Sequence, residues 1–368
     1  SWEVVEHRWT TDRGKQRTDT VLCIVAEDGA VGCYRGGCDE AELRAALPLL
    51  EARNLLDHDG MYECFRENRL PSAPARAWDI ACWDLHARML DVPLWHFWER
   101  KRDRVKLYGD VRWDWFEDVG EFAECVGYRV HEEGMHGVKL HLPGTWGRTF
   151  AGEEPAGLEV TLACLRAARE AAGDDAVLAY DPFNPECFRC EENLRVVDTL
   201  QECGYEWHEG GIPELPEEKW RERYVELCGY ADLRIEPEGG WEPGYEPTEE
   251  ERAEWGLNMV ERDLRWAEAG AADQFHYDMH ESGRGITEGL RLIETFRGRP
   301  DLDIRLNFHW HWQPHQHLVF GVDAALWPYL ECSTQKNVPG RTQGGYVLPP
   351  DWVGVFDLDP EELLVGDP

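Results

Sequence analysis

Eight short apolar runs in the last two-thirds of the sequence end on side chains that ionise or coordinate. These are Asp110, His141, Asp181, Glu209, Glu238, Asp278, His309 and Glu331. Asp181, Glu209 and Glu238 close three successive runs, 28 and then 29 residues apart. Neighbouring strands lie about 5 Å apart, so three carboxylates at their ends repel strongly unless a cation sits among them. Oxygen-only ligands suit a hard ion, Mg2+ ahead of Mn2+ or Ca2+. Lys139 and His141 alternate on one run and so share a face. Asp278 and His309 end two later runs. A carboxylate beside an imidazole orients it and raises its basicity, an arrangement fit for a general base. A metal flanked by bases on two sides suits removal of the proton α to a metal-chelating carboxylate, with the growing oxyanion charge held by the ion. A group on the far side then expels a β-hydroxyl (dehydration) or returns a proton (racemisation or epimerisation). Taken singly, each residue also has a plain explanation: a hydrogen-bonded structural histidine, a loop acid, a lysine paired with a neighbouring acid.

These residues need elements that bring them together. The runs are VKLYGD (105–110), GVKLHL (137–142), AVLAYD (176–181), YEWHE (205–209), LRIEPE (233–238), DQFHYD (273–278), IRLNFH (304–309) and LWPYLE (326–331). Amphipathic stretches such as 156–172, 191–203, 217–229 and 284–297 lie between them. Strands alternating with helices argue for a parallel sheet, and eight such units for a closed (β/α)8 barrel, whose strand C-termini converge on one mouth. No Gly-rich dinucleotide fingerprint follows a strand, which disfavours the alternative of an open doubly wound sheet. Before residue 105 the texture differs. TVLCIVAEDGAVGCYRG reads as a hairpin turning at Glu27-Asp28-Gly29, and residues 39–100 read as mostly helical. Ala77, Ala81, Asp84 and Leu85 fall at helical spacing, with Asp91 and Pro93 as the stop.

Composition narrows the partners. The chain carries 73 acidic against 38 basic residues, a formal charge of −35, and only six of the bases are Lys. So negative a surface repels nucleic acid and stays soluble where salt screens repulsion, which fits a salt-adapted cytoplasm. No run is long and apolar enough for a membrane span, and SWEVVEHRW lacks the layout of a secretory signal. The twelve Cys are scattered, with Cys23, Cys82 and Cys164 inside apolar runs, and read as buried free thiols of a reducing compartment. CFRC (Cys187, Cys190) has CxxC spacing without a second pair, a weak zinc signal. Of the eighteen Trp, residues 83, 95 and 207 read as core rather than as a carbohydrate-stacking surface.

Several motifs together resemble the enolase superfamily, and within it the mandelate racemase-like acid-sugar dehydratases. They are ARAWDIACWDLHARMLDVPLW followed by RDRVKLYGD, then GVKLH, AYDPFN, YEWHEGGIPE, GRGITEGLRL and GGYVLPPDWVGVFDLDPEEL. The resemblance implies an α+β capping domain (residues 1–104) completed by a returning C-terminal tail (336–368), closing over a (β/α)8 barrel (105–335). It further implies one Mg2+ per subunit, a small-molecule acid-sugar substrate, a cytoplasmic homo-oligomer and hydro-lyase activity, with racemisation or epimerisation of a 2-hydroxy or amino acid as the alternative. Its metal ligands fall on Asp181, Glu209 and Glu238. Its second-strand bases fall on Lys139 and His141, its His–Asp dyad on His309 and Asp278, and its eighth-strand acid on Glu331. The sequence departs from the family pattern in four places. His141 stands where the family more commonly has Lys, which leaves Lys139 and His141 as alternative bases. HEGG keeps one acid after the fourth strand. EPEGG leaves Glu236 and Glu238 as alternatives on one strand face. HWHW leaves His309 and His311 as alternatives. His309-Trp310-His311 also has the look of a zinc hydrolase site, although such pairs usually end the first strand.

Overall fold

The computed structural model describes residues 1–10, 16–37, 39–51, 53–112, 116, 118–142, 157–182, 190–210, 213–214, 217–237, 240–241, 248, 256–279, 283–308, 312–333, 338, 340–359 and 363. The chain opens with three antiparallel strands, β1 (Trp2–Thr10), β2 (Gln16–Val25) and β3 (Val31–Arg35), in the order β1-β2-β3. The expected hairpin joins β2 to β3. Gly29 takes the positive φ of +91° that the turn requires, and Asp28 Oδ1 accepts from the Ala30 N–H at 3.0 Å.

Three helices follow: α1 (Glu40–Leu50), α2 (His58–Glu67) and α3 (Ser72–Met89). Asp39 caps α1 and Asp57 caps α2, each accepting backbone N–H groups left open in the first turn. Helix α3 ends where Asp91 turns left-handed (φ +54°), two residues before Pro93. It is buried without a break from Pro74 to Leu85, so it has no solvent face to match a one-sided reading of its apolar spacing. The sheet lies against one side, where a Cβ on Gly32 would come within 2.4 Å of the Ala81 carbonyl oxygen. The barrel lies against the other, where the Trp83 indole donates to Thr287 Oγ1 at 2.9 Å.

The barrel then runs β4 (Val105–Arg112), α4 (Val119–His131), β5 (Gly137–His141), α5 (Gly157–Ala172), β6 (Val177–Tyr180), α6 (Cys190–Glu202) and β7 (Trp207–Glu209). It continues through the short β8 (Pro213–Glu214), α7 (Glu217–Tyr230), β9 (Arg234–Glu236), the short β10 (Gly240–Trp241) paired to β8, and α8 (Met259–Glu268). It closes with β11 (Gln274–Tyr277), α9 (Ile286–Arg297), β12 (Arg305–Phe308), α10 (Gln313–Val319) and β13 (Tyr329–Cys332). All eight sequence-predicted runs are strands here. Parallel pairing links β13, β4, β5, β6, β7 and β9 in that order, and β11 with β12. Asp273 N–H to the Ile235 carbonyl (3.0 Å) and Leu306 N–H to the Leu326 carbonyl (2.7 Å) bridge the two remaining seams.

The tail forms a small hairpin, β14 (Thr342–Gln343) and β15 (Tyr346–Val347), that pairs antiparallel with the start of β4. It then returns to α3, where the Val355 N–H donates to Asp84 Oδ1 at 2.6 Å. Among the described residues no helix is long and apolar enough to cross a membrane. Trp83 and Trp207 are buried as expected, whereas Trp95 is half-buried, because its indole reaches out to the Pro350 carbonyl at 2.8 Å. Cys23, Cys82 and Cys164 are buried free thiols. Cys187 and the Cys190 side chain lie outside the described residues.

Candidate active site

Side chains alternate across a strand, so every second residue of each barrel strand faces the axis. Toward the closed end the axis is filled by Tyr108, Ala179 and Trp207, with Tyr329 packed against them. The Tyr108 and Trp207 rings meet edge to face with centroids 5.3 Å apart. Two residues further along the same strands this apolar layer gives way to a charged one: Asp110, Lys139 with His141, Asp181, Glu209, Glu236, Gln274 with His276, Asn307 and Glu331. All are buried except the half-buried His276.

Lys139 is the hub. Its Nζ lies 3.0 and 3.2 Å from the two Glu209 oxygens, 3.3 Å from Glu331 Oε2 and 3.5 Å from Asp181 Oδ2. Burial opposes its charge, but Glu209, Glu331 and Asp181 outweigh burial and hold its pKa well above the ordinary lysine value. His141, on the same face, has Nε2 2.8 Å from Asp110 Oδ1 and Nδ1 3.1 Å from Asp181 Oδ2. Burial would discharge the ring, yet Asp181 and Asp110 raise its pKa to about 9. Burial likewise works against the Asp110 carboxylate, but the hydrogen bond from His141 lowers its pKa to about 2.

A second cluster lies beside the first. His276 Nδ1 is 3.0 Å from Glu209 Oε1 and 3.3 Å from Glu236 Oε1. One ligand atom from each of these three residues lies within 4.8 Å of the others, a spacing at which a single ion could be held. Glu236 is steadied from behind: Gln274 Nε2 donates to its Oε2 at 2.5 Å and Asn307 Nδ2 at 3.2 Å. Burial, then repulsion from Glu209, raises the Glu236 pKa. Asn307 and Glu331 are tied together by the Tyr108 hydroxyl, which lies 3.0 Å from Asn307 Oδ1 and 3.1 Å from Glu331 Oε2.

Of the residues singled out in the sequence, Asp110, Lys139, His141, Asp181, Glu209 and Glu331 therefore meet in one buried charged layer. Glu236, the alternative on its strand, joins them. Asp278 is buried just beyond the end of β11, its carbonyl accepting from the Gly283 N–H at 2.7 Å. Glu238, His309 and His311 lie outside the described residues. Sequence reasoning passed over Tyr108, Gln274, His276 and Asn307. Each is separated by an even number of residues from the flagged end of its own run, Asp110, Asp278 or His309, and so shares its strand face. That parity was the signal available for them.

Comparison with known proteins gives the fold a class. No family model matches the chain. A D-xylonate dehydratase of Haloferax volcanii is 28% identical over 210 residues, which cover 52% of this chain and 50% of that protein. The chain thus spans about half the length of the curated relative it matches. The solved D-glucarate dehydratase from Agrobacterium tumefaciens, complexed with magnesium, superposes with a TM-score of 0.71 at 19% identity, over 96% of this chain and 94% of that one. A mandelate racemase/muconate lactonizing protein from Paracoccus denitrificans, also complexed with magnesium, gives 0.72 at 18% identity, over 99% and 95%. The 3,6-anhydro-D-galactonate cycloisomerase from Zobellia galactanivorans gives 0.69 at 17%, over 99% and 98%. The chain shares the fold of these solved structures, a barrel under an N-terminal cap, which is the fold that its motifs led us to expect.

Proposed function

We propose that this chain is a divalent-cation-dependent hydro-lyase that removes the proton α to the carboxylate of an acid sugar and then eliminates water from the β-carbon. The observation that carries the reading is the buried layer in which Asp181, Glu209 and Glu236 project from three successive strands beside Lys139 and His141. The oxygens of Glu209 and Glu236 fit a hard cation, with Asp181 on the neighbouring strand and Glu238 as the alternative to Glu236. Mg2+ is our choice, as in the magnesium complexes of two structural neighbours. A cation there would supply positive charge to the carboxylate oxygens on which negative charge grows as the α proton leaves.

The chain's own groups divide the remaining work. Lys139 sets the charge balance of the acids and faces the substrate carboxylate region together with Glu331. His141, with a carboxylate at each ring nitrogen, is held as an imidazolium and is placed to deliver a proton to the departing hydroxyl. For the base we propose His309 with Asp278, the pair that the resemblance implies. The D-xylonate dehydratase relative supports a sugar-acid substrate. The acidic surface supports a salt-rich cytoplasm, and we further propose a homo-oligomer.

The test is incubation with Mg2+ and a panel of aldonic and aldaric acids, with semicarbazide detection of the 2-keto product. Expected is a 2-keto acid from at least one of them, abolished by EDTA. Solvent deuterium at the α-carbon without loss of water would instead establish racemisation or epimerisation. Tightly bound zinc with histidine ligands would replace both readings with hydrolysis.

A further inference from the structure

The capping sheet contains a second place where chemistry is built in, away from the barrel mouth. Cys23 on β2 stands directly opposite Cys33 on β3, with the two Sγ atoms 3.3 Å apart and both residues fully buried. The Cys33 N–H does not point toward β2. It donates outward to Asp84 Oδ2 on α3 at 2.7 Å. In an antiparallel ladder that makes Cys23 and Cys33 a non-hydrogen-bonded pair, the kind with Cα atoms about 4.5 Å apart and the closest side chains. That separation falls inside the roughly 4.4–6.8 Å span a disulfide bridges. The pair belongs to a small satellite cluster with Val21 and Val31 rather than to the main core. Among the described residues its cover is made by Val5, Val25 and, from the C-terminal tail, Leu358 and Leu363, all partly buried.

We propose that Cys23 and Cys33 form a dithiol site that reacts with small-molecule disulfides and closes to an intrachain disulfide. The Cys23 thiolate attacks one sulfur of the small disulfide, whose S–S bond breaks and releases one small thiolate. The Cys33 sulfur then attacks the Cys23 sulfur of the mixed disulfide and expels the second small thiolate. The two protons lost by the cysteines end on the two small thiols. One disulfide is reduced, one is formed, and no further oxidant is needed. The two sulfurs share a hydrogen bond in which either can be the donor; with Cys33 as its partner the Cys23 pKa is lowered against the effect of burial, which favours Cys23 as the attacking sulfur. The bridge would lock β3 to β2 at the point where Asp84 also holds Val355 and Arg88, fastening sheet, helix and tail at one spot.

The site is tested on the full chain incubated with oxidised glutathione, quenched with acid, then denatured, alkylated and mapped by mass spectrometry without reduction. Expected is a peptide pair joined through Cys23 and Cys33, a chain lighter by two hydrogens, two equivalents of glutathione thiol released, and reversal by dithiothreitol. Cys33→Ser should stop at a stable glutathione adduct on Cys23. Wild-type protein in which both cysteines are still fully alkylated after prolonged incubation, or are joined to other cysteines, overturns the proposal without reliance on any variant folding.

Discussion

Lys139 Nζ and Glu209 Oε2, 3.0 Å apart, form an ion pair at the centre of the barrel with essentially no exposure on either side chain. The same ammonium also meets Asp181 and Glu331, so one positive charge balances three carboxylates on three other strands. Removing it leaves buried acids without a counter-charge, which typically costs about 3–5 kcal/mol. Lys139→Met is therefore expected to unfold at markedly lower denaturant and to lose activity. Because a divalent cation would supply the missing charge, Mg2+ should raise the melting temperature of Lys139→Met by more than it raises that of the wild type. Equal shifts, or none, in thermal melts with and without Mg2+ would count against a cation site among these acids.

Glu236 depends on groups behind it. Gln274 and Asn307 both donate to its carboxylate, and Asn307 in turn meets the Tyr108 hydroxyl. Outer partners of ligating carboxylates typically matter by about 10–100-fold in metal affinity. Asn307→Leu should weaken Mg2+ binding by that order in a calorimetric titration while the circular dichroism spectrum is unchanged. Glu236→Gln should weaken it at least as much. Unaltered affinity in both would move the third ligand to Glu238.

Much of this arrangement was open to a reader of the sequence, for a physical reason. A barrel strand is short, apolar toward its helices and closed by a polar residue at the mouth, so each of the eight runs announced itself. The acids at their ends stood out because a carboxylate that closes an apolar run is costly without a partner. What stayed hidden was depth. The charged layer extends two residues below the strand ends, and His276 and Asn307 look like ordinary strand residues until the ring is closed. The cap helix was hidden differently. Arg76, Asp79 and Asp84 lie in an apolar helix yet are buried, and each has a partner more than two hundred residues away: Gly283, Thr287 and Val355 respectively. No local pattern encodes such pairings; only the docked domains do.

Gly285 shows how tightly that docking is drawn. It holds a φ of +114° at the entry to α9, and a Cβ there would come within 2.3 Å of Asp79 Oδ2. Gly285→Ala meets both a backbone conformation unsuited to an L side chain and a steric conflict with a buried carboxylate. A loss of roughly 1–3 kcal/mol in urea unfolding is expected, the usual size of an overpacking defect. A neutral result would mean that α3 and α9 are free to separate.

The same interface should make stability depend on pH. Burial raises the Asp79 pKa to about 7 despite hydrogen bonds from Thr287 and Ile286. It also raises that of Glu288 to about 7, although Arg284, Tyr277 and Tyr62 donate to it. A carboxyl with a higher pKa in the folded than in the unfolded chain holds its proton more tightly when folded. Its contribution is therefore present below the unfolded value near 4 and is lost as pH climbs through the folded value, each group withdrawing on the order of 1.4 kcal/mol per pH unit across that window. The melting temperature should fall between pH 4 and pH 7, and fall less in Asp79→Asn and in Glu288→Gln. Repulsion within the −35 net charge acts with the same sign in all three proteins, so the difference in slope isolates the two carboxyls. Parallel slopes for wild type and both variants would show that neither group binds its proton more tightly on folding.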